Sequence, residues 1–176
     1  METLPKFKLW EPLLILIGVA AGILWILNTL NTGNPLWFLP IQPTYEPSRI
    51  VIRKYGETVT IRRGEPGYKE LSEGLNETLS SFNNTALISI GLSEDTLLRY
   101  NETELVVESY YADEIEFNTP VRMSGVKQLL IPIDATHAGN GYVFMGANGQ
   151  WRVGAMVADD DTPLLNALRI LGYLQD

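Results

Sequence analysis

The sequence of 176 residues contains no cysteine and a single histidine. Without cysteine the chain can form no disulfide, thiolate zinc site, iron–sulfur cluster or covalently attached haem. A lone histidine also argues against a transition-metal site, because such sites need three or four converging ligands. An external domain of about 130 residues is large enough to bury a core without disulfides, so the lack of cysteine suits a bacterial or archaeal envelope better than a eukaryotic cell surface. We therefore expect no metal and no other cofactor.

Basic residues are few, with 13 Lys and Arg against 21 Asp and Glu, which gives a net charge of -8. The first 30 residues carry two Lys and two Glu, so the negative charge belongs to the rest of the chain. A surface of this sign repels the polyanionic backbone of nucleic acids. We expect no nucleic-acid partner.

Long apolar runs are also scarce, and the one exception is Pro12 to Leu27. With a weaker continuation of a few residues the run reaches roughly 30 Å as a helix, the thickness of a hydrocarbon core. The alternative is a cleavable signal peptide, which has a shorter apolar core and a small-x-small cleavage site. The one small residue in such a setting is Gly33, and polar Asn31 stands at the minus-three position. The sequence therefore favours a retained transmembrane helix over residues 11–31.

The orientation of this helix follows from the charges that flank it. Lys6 and Lys8 precede the run, whereas the next charged residue after it is Glu46. Because basic residues stay on the cytoplasmic side, residues 1–10 are predicted to be a cytoplasmic tail. The sequence thus predicts a single-pass protein of the cell membrane with an extracytoplasmic C-terminal domain.

A proline-rich segment, residues 32–48, joins the predicted anchor to the predicted domain. Its four prolines exclude a helix and favour a semi-rigid arm. Trp37 and Phe38 belong to a short apolar group that is too hydrophobic for a free linker. We expect this group to lie in the lipid headgroup layer or to contact a neighbouring subunit.

The domain, predicted over residues 49–176, opens with two β-branched runs around Tyr55-Gly56-Glu57, the pattern of a β-hairpin. Positive charge concentrates in this hairpin. These basic residues either form a solvated strand face paired with acidic neighbours, or form a surface that contacts anionic lipid headgroups or an acidic partner. The residues named as candidate contacts are Arg49, Arg53, Arg62 and Arg63.

Two amphipathic helices are predicted. The first begins near Pro66 and places Tyr68, Leu71, Leu75, Leu79 and Phe82 on one face. The second begins at Thr162 as N-cap and Pro163 as first helical residue, and it ends before Gly172.

Strands are predicted between and after these helices. Leu87 to Leu92 has the pattern of a buried strand, and Lys127 to Ile133 that of a later one. Asn148-Gly149 predicts a tight hairpin between two further strands. Residues 96–111 permit either a hairpin or a short helix capped by Ser93. Together these elements predict an α+β domain with a mostly antiparallel sheet and two helices packed on one side of it.

Candidate catalytic and metal-binding groups are weak. Asp134 and His137 could belong to a catalytic triad, but no G-x-S-x-G motif accompanies them. The aspartates at 159–161 are better explained by the start of a helix than by calcium. The acid-rich stretch 94–116 is interpreted as a solvated strand face rather than a glycosidase pair. We predict no catalytic residue, and we attribute the three Asn-x-Thr sequons to chance.

The apolar run contains a G-x-x-x-G motif at Gly18 and Gly22, which permits close approach of a second transmembrane helix. We therefore expect a non-enzymatic, single-pass accessory subunit or assembly factor of a membrane protein complex. Its expected partners are the lipid bilayer and other transmembrane subunits or a second copy of itself. The alternative is a membrane-anchored ligand-binding or sensor module.

Overall fold

The computed structural model describes residues 10–32, 35, 44–80, 82, 84, 86–117, 119, 121 and 123–175. The chain divides into two compact units, residues 1–40 and 41–176. The first unit contains helix α1, Trp10–Thr32, whose apolar side chains are exposed. By length and composition this helix could cross a membrane.

The second unit is an α+β domain with one sheet of six strands in the order β2-β1-β3-β4-β5-β6. Every neighbouring pair is antiparallel, which confirms the predicted sheet type. The strands are β1 (Arg49–Lys54), β2 (Glu57–Arg62), β3 (Leu105–Tyr110), β4 (Gln128–Asp134), β5 (Tyr142–Ala147) and β6 (Gln150–Val157), and the helices are α2 (Tyr68–Leu79), α3 (Glu94–Glu102) and α4 (Thr162–Ile170).

Two-residue turns determine the register of the outer strand pairs. Tyr55 and Gly56, with φ of 49° and 90°, connect β1 to β2. Asn148 and Gly149, with φ of 53° and 79°, connect β5 to β6. Positive φ at both central positions is the signature of the type I′ turn, whose twist matches that of antiparallel strands. Both predicted hairpins are therefore confirmed.

One face of the sheet carries the larger core, beneath α2 and α4. Ile50 and Ile52 of β1 point to this face, and both are fully buried. The two helices contribute stripes at helical spacing, which confirms the amphipathic pattern of the sequence. These stripes are Leu71, Leu75 and Leu79 from α2, and Leu164, Ala167 and Leu168 from α4.

The opposite face is covered in part by α3, which the sequence allowed only as an alternative. Ser93 caps this helix by accepting the backbone N–H of Thr96 at 3.1 Å. Its Tyr100 is buried in a second cluster with Val106 and Phe144. The two predicted helices do lie on one side, but the prediction that helices cover only that side is wrong: among the described residues of the domain, α3 is a third helix and lies on the other side. The reason is that the central strands are apolar on both faces, so both must be covered.

Residues 87–92 differ from the predicted buried strand. Ile88 makes a single bridge with Ala155 at the outer edge of β6, and Ile88 itself is 39% exposed. A segment at the rim of a sheet has protein on one side only, so its apolar pattern does not lead to full burial.

Helix α4 begins one residue earlier than predicted. Asp161 is the N-cap, Thr162 is the first helical residue, and the Asp160 carboxylate accepts the Thr162 N–H at 2.9 Å. A hydrogen bond from the Thr162 hydroxyl, together with this backbone bond, lowers the pKa of Asp160. At the other end Gly172 has φ 78°, and Tyr173 N–H donates to the Leu168 carbonyl at 2.8 Å, as in a Schellman cap.

Gly74 provides a test of the close approach of α2 to α4. A Cβ added there would lie 2.9 Å from the Pro163 carbonyl oxygen and 3.2 Å from Leu164 Cα. Both atoms are backbone and cannot rotate aside, so we expect Gly74→Ala to lower the free energy of unfolding by about 1–3 kcal/mol. Denaturant unfolding of the detergent-solubilised chain measures this.

The control is Glu73→Ala at the neighbouring, solvent-exposed position, which we expect to change stability by less than about 0.5 kcal/mol. In an unconstrained helix Gly→Ala instead stabilises by up to about 1 kcal/mol. A stabilised Gly74→Ala variant would therefore contradict the close packing.

Candidate functional site

The register of the sheet brings two of the predicted basic residues of the hairpin together. Arg49 of β1 lies directly opposite Arg62 of β2 and, on its other side, opposite Tyr110 of β3. Residues directly opposite in neighbouring strands share a face of the sheet. Arg62, Arg49 and Tyr110 therefore form a row across three strands, which we call the arginine row.

A hydrogen-bonded network lies beside the arginine row. Glu108 of β3, only 4% exposed, accepts Arg53 Nε at 2.7 Å. It also accepts the Tyr110 hydroxyl at 2.5 Å. Glu108 was expected to belong to a solvated face, and this prediction is wrong. Its strand, β3, has a hydrogen-bonded strand on each side, and the Glu108 carboxylate is compensated by the Arg53 guanidinium and the Tyr110 phenol.

The network changes the acidity of its members. Burial, together with the hydrogen bond to Glu108, raises the pKa of Tyr110 to about 12. The hydrogen bond to the same carboxylate raises the pKa of the Arg53 guanidinium above its ordinary value. Tyr110 therefore remains a neutral hydrogen-bond donor at physiological pH, and Arg53 remains charged.

The structure separates the four candidate arginines into two classes. Arg53 pairs with Glu108, and Arg63 Nη2 pairs with Glu46 Oε2 at 2.6 Å. Among the described residues no carboxylate lies within 4 Å of the side chains of Arg49 or Arg62. Arg49 stacks on the Tyr110 ring, with Cζ 4.1 Å from the ring centroid. Arg49 and Arg62 are thus exposed cations without an ionic partner in the described chain.

The domain also has an open groove. Its volume is about 710 Å³, and the Arg63–Glu46 ion pair forms part of its wall. The other lining residues are Thr44, Ser48 and residues 111–115. The lining thus combines carboxylates, hydroxyls and one guanidinium with apolar side chains such as Ala112 and Ile115.

The G-x-x-x-G motif lies within α1, where Gly18 and Gly22 are one helical turn apart on the same face. A Cβ added to either glycine would meet no atom within 4 Å. The ridge is therefore open. Trp37 and Phe38, predicted as interfacial contacts, lie outside the described residues, so their role stays a prediction.

The histidine loop does not assemble a catalytic triad in the described chain. The Tyr100 hydroxyl donates to the Thr136 carbonyl at 2.7 Å, and His137 Nδ1 lies 3.0 Å from the same hydroxyl. Because a hydroxyl has one proton, His137 Nδ1–H is the donor in the second bond. Asp134 instead accepts the Tyr55 hydroxyl at 2.5 Å. His137 and Asp134 thus each bond a different tyrosine.

Metal sites and relatives add no further assignment. Within the described ranges no three His, Cys, Asp or Glu side chains are grouped to hold a metal ion. Comparison of the chain with protein-family models, with curated proteins and with solved structures found no significant match.

The pKa of Tyr110 predicts an alkaline stability effect. Unfolded tyrosine loses its proton near pH 10, whereas folded Tyr110 does so at about 12. Between these values the folded state binds more protons, so the free energy of unfolding falls as pH rises from 10 to 12. Tyr110→Phe has no phenol to titrate, and its decline should be shallower.

Urea unfolding of both proteins at several pH values between 9 and 11, followed by near-ultraviolet circular dichroism, tests this expectation. Parallel pH profiles would show that the Tyr110 hydroxyl is solvated and not held by Glu108.

Proposed function

We propose that this protein is a single-pass, membrane-anchored, non-enzymatic accessory subunit or assembly factor of a membrane protein complex. In this proposal α1 spans the cell membrane and packs against a transmembrane helix of the partner. The α+β domain lies outside the cytoplasm. The observation that supports the proposal is the open glycine ridge on an apolar helix.

The ridge supports helix association for a simple reason. In lipid there is no hydrophobic force between apolar helices, so association depends on close packing. Gly18 and Gly22 leave a shallow groove in which a second backbone can approach. Nothing described in the first unit occupies that groove.

The dimensions of α1 support a retained anchor. Its 23 residues span roughly 35 Å at 1.5 Å per residue, more than a hydrocarbon core requires. Signal peptides have apolar cores of roughly 7–15 residues, which is shorter than this helix. Lys6 and Lys8 before the helix support the cytoplasmic side for the N-terminal tail.

The second candidate is an anchored ligand-binding or sensor module, and the groove beside Arg63 favours it. A volume of about 710 Å³ would accommodate a small polar ligand. The groove is open rather than enclosed, however, and small-molecule sites bury most of their ligand. For this reason we place the subunit first.

Replacing Gly18 and Gly22 by leucine tests the first proposal. Leucine is at least as apolar, so insertion should be preserved, but its side chain fills the groove. We expect co-purification of the partner through a C-terminal tag to fall severalfold while the amount of protein in the membrane is unchanged. Further replacement of Trp37 and Phe38 by serine should deepen the loss.

The matched control is Ala20→Leu, which adds similar bulk on the opposite side of α1 and should leave partner recovery unchanged. Equal recovery from the glycine double variant and from wild type would indicate a passive anchor and would favour the ligand-binding module.

The proposed orientation predicts the result of protease digestion. Protease added to intact cells, with any outer membrane permeabilised, should digest an epitope at the C-terminus and spare one at the N-terminus. Immunoblots for the two epitopes provide the measurement. Protection of the C-terminal epitope would contradict an extracytoplasmic domain.

A further inference from the structure

We propose that Arg49 and Arg62 together bind the phosphate of an anionic lipid headgroup. The inference rests on the proposed membrane anchoring and goes further, since it assigns a ligand class to two named residues. Among the described residues of β1 and β2, they are the two arginines without a carboxylate within 4 Å.

The two arginine side chains repel each other. Arg49 and Arg62 are directly opposite on the same sheet face, where Cβ atoms are about 4.5–5.5 Å apart. Like charges in such a pair destabilise a sheet. A bound phosphate would accept hydrogen bonds from both guanidinium groups and convert the repulsion into attraction.

Arg49 is already positioned. Its guanidinium carbon lies over the Tyr110 ring, 4.1 Å from the centroid, and this cation–π contact restricts the side chain. Tyr110 in turn is held by the buried Glu108, which Arg53 neutralises. A side chain held in this way loses less conformational entropy when it binds.

The neighbouring carboxylate does not occupy the site. Glu65 Oε2 accepts the backbone N–H of Arg62 at 2.7 Å, and the Arg62 carbonyl accepts the Glu65 N–H at 3.0 Å. Glu65 therefore closes the turn after β2 through the backbone. The Arg62 guanidinium remains available to an external anion.

Lipid is the source of phosphate that the position of the arginine row favours. Residues 44–48 lead directly into Arg49, so the arginine row lies close along the chain to the proposed anchor. A domain attached to a membrane-spanning helix experiences a high effective concentration of headgroups, which favours lipid binding by a pair of arginines. The net charge of -8 makes such a basic spot the exception on this chain.

The experiment uses the full chain in a non-ionic detergent, with phosphatidylglycerol or phosphatidylcholine added at equal concentration, and native mass spectrometry to count retained lipid. We expect the wild type to retain phosphatidylglycerol in preference to phosphatidylcholine. Arg49→Gln and Arg62→Gln should each lower that retention roughly tenfold, since each removes one charged hydrogen-bonding partner. Lipid held by α1 is common to all variants.

The matched control is Arg169→Gln, which removes one charge from the exposed, distant surface of α4 and should behave as wild type. Circular dichroism melts of each variant establish that it is folded. Retention that does not differ among the three variants, or equal retention of the two lipids by wild type, overturns the proposal.

Two further arms identify other ligands. Inorganic phosphate should displace phosphatidylglycerol from wild type if the shared chemistry is correct. If the arginine variants lose phosphate binding but keep the lipid preference, the ligand is a free phosphate and the lipid assignment is wrong. If they lose the partner protein and keep the lipid preference, the ligand is acidic protein. These results leave the Gly18/Gly22 test of the proposed function independent.

Discussion

The register of β1 between β2 and β3 is the constraint on which the rest of the domain depends. The two-residue turn at Tyr55 and Gly56 pairs Lys54 with Glu57 and so determines every later pair in the hairpin. In this register Ile50 and Ile52 enter the core beneath α2 and α4. A slip of one residue would exchange them with the residues that point to the other face.

The same register creates the arginine row. Because Ile50 faces the core, Arg49 must face the other side, where it meets Arg62 and Tyr110. The strand pairing that buries Ile50 is therefore the same pairing that forms the arginine row. It does cost electrostatic repulsion between two guanidinium groups, which natural sequences tolerate most readily where an anion or an aromatic ring compensates for it.

The sheet face that carries the arginine row has an apolar part and a polar part, and the buried network of Glu108, Arg53 and Tyr110 lies in the polar part. Helix α3 covers the apolar part, over Val106, Leu130 and Phe144. On the same face Glu108 lies opposite Val51 of β1 and Leu130 of β4, and it is 4% exposed. Arg53 and Tyr110 supply the charge and the hydrogen bonds that an enclosed carboxylate requires.

The protein consists of two separate units, each with an exposed feature. The apolar helix carries an open glycine ridge, and the domain carries two exposed cations side by side. Both features are exposed, and each is supplied by residues that contribute little to their own unit's packing. Surfaces of this kind are where binding partners are expected, because core residues are already committed to packing.

The sequence alone determined the features that depend on near neighbours. The apolar run predicted α1, the turn residues Tyr55-Gly56 and Asn148-Gly149 predicted the hairpins, and the spacing of leucines predicted α2 and α4. Each of these signals is local: a run length, a positive φ or a helical period. Tertiary structure alone decided which side of the sheet α3 covers, since both faces of the central strands are apolar. It also decided that Glu108 is buried and that, within the described chain, no carboxylate lies within 4 Å of the side chains of Arg49 and Arg62. Those outcomes depend on which strands become neighbours, and residues brought together from 49, 62 and 110 have no local pattern that reveals their meeting.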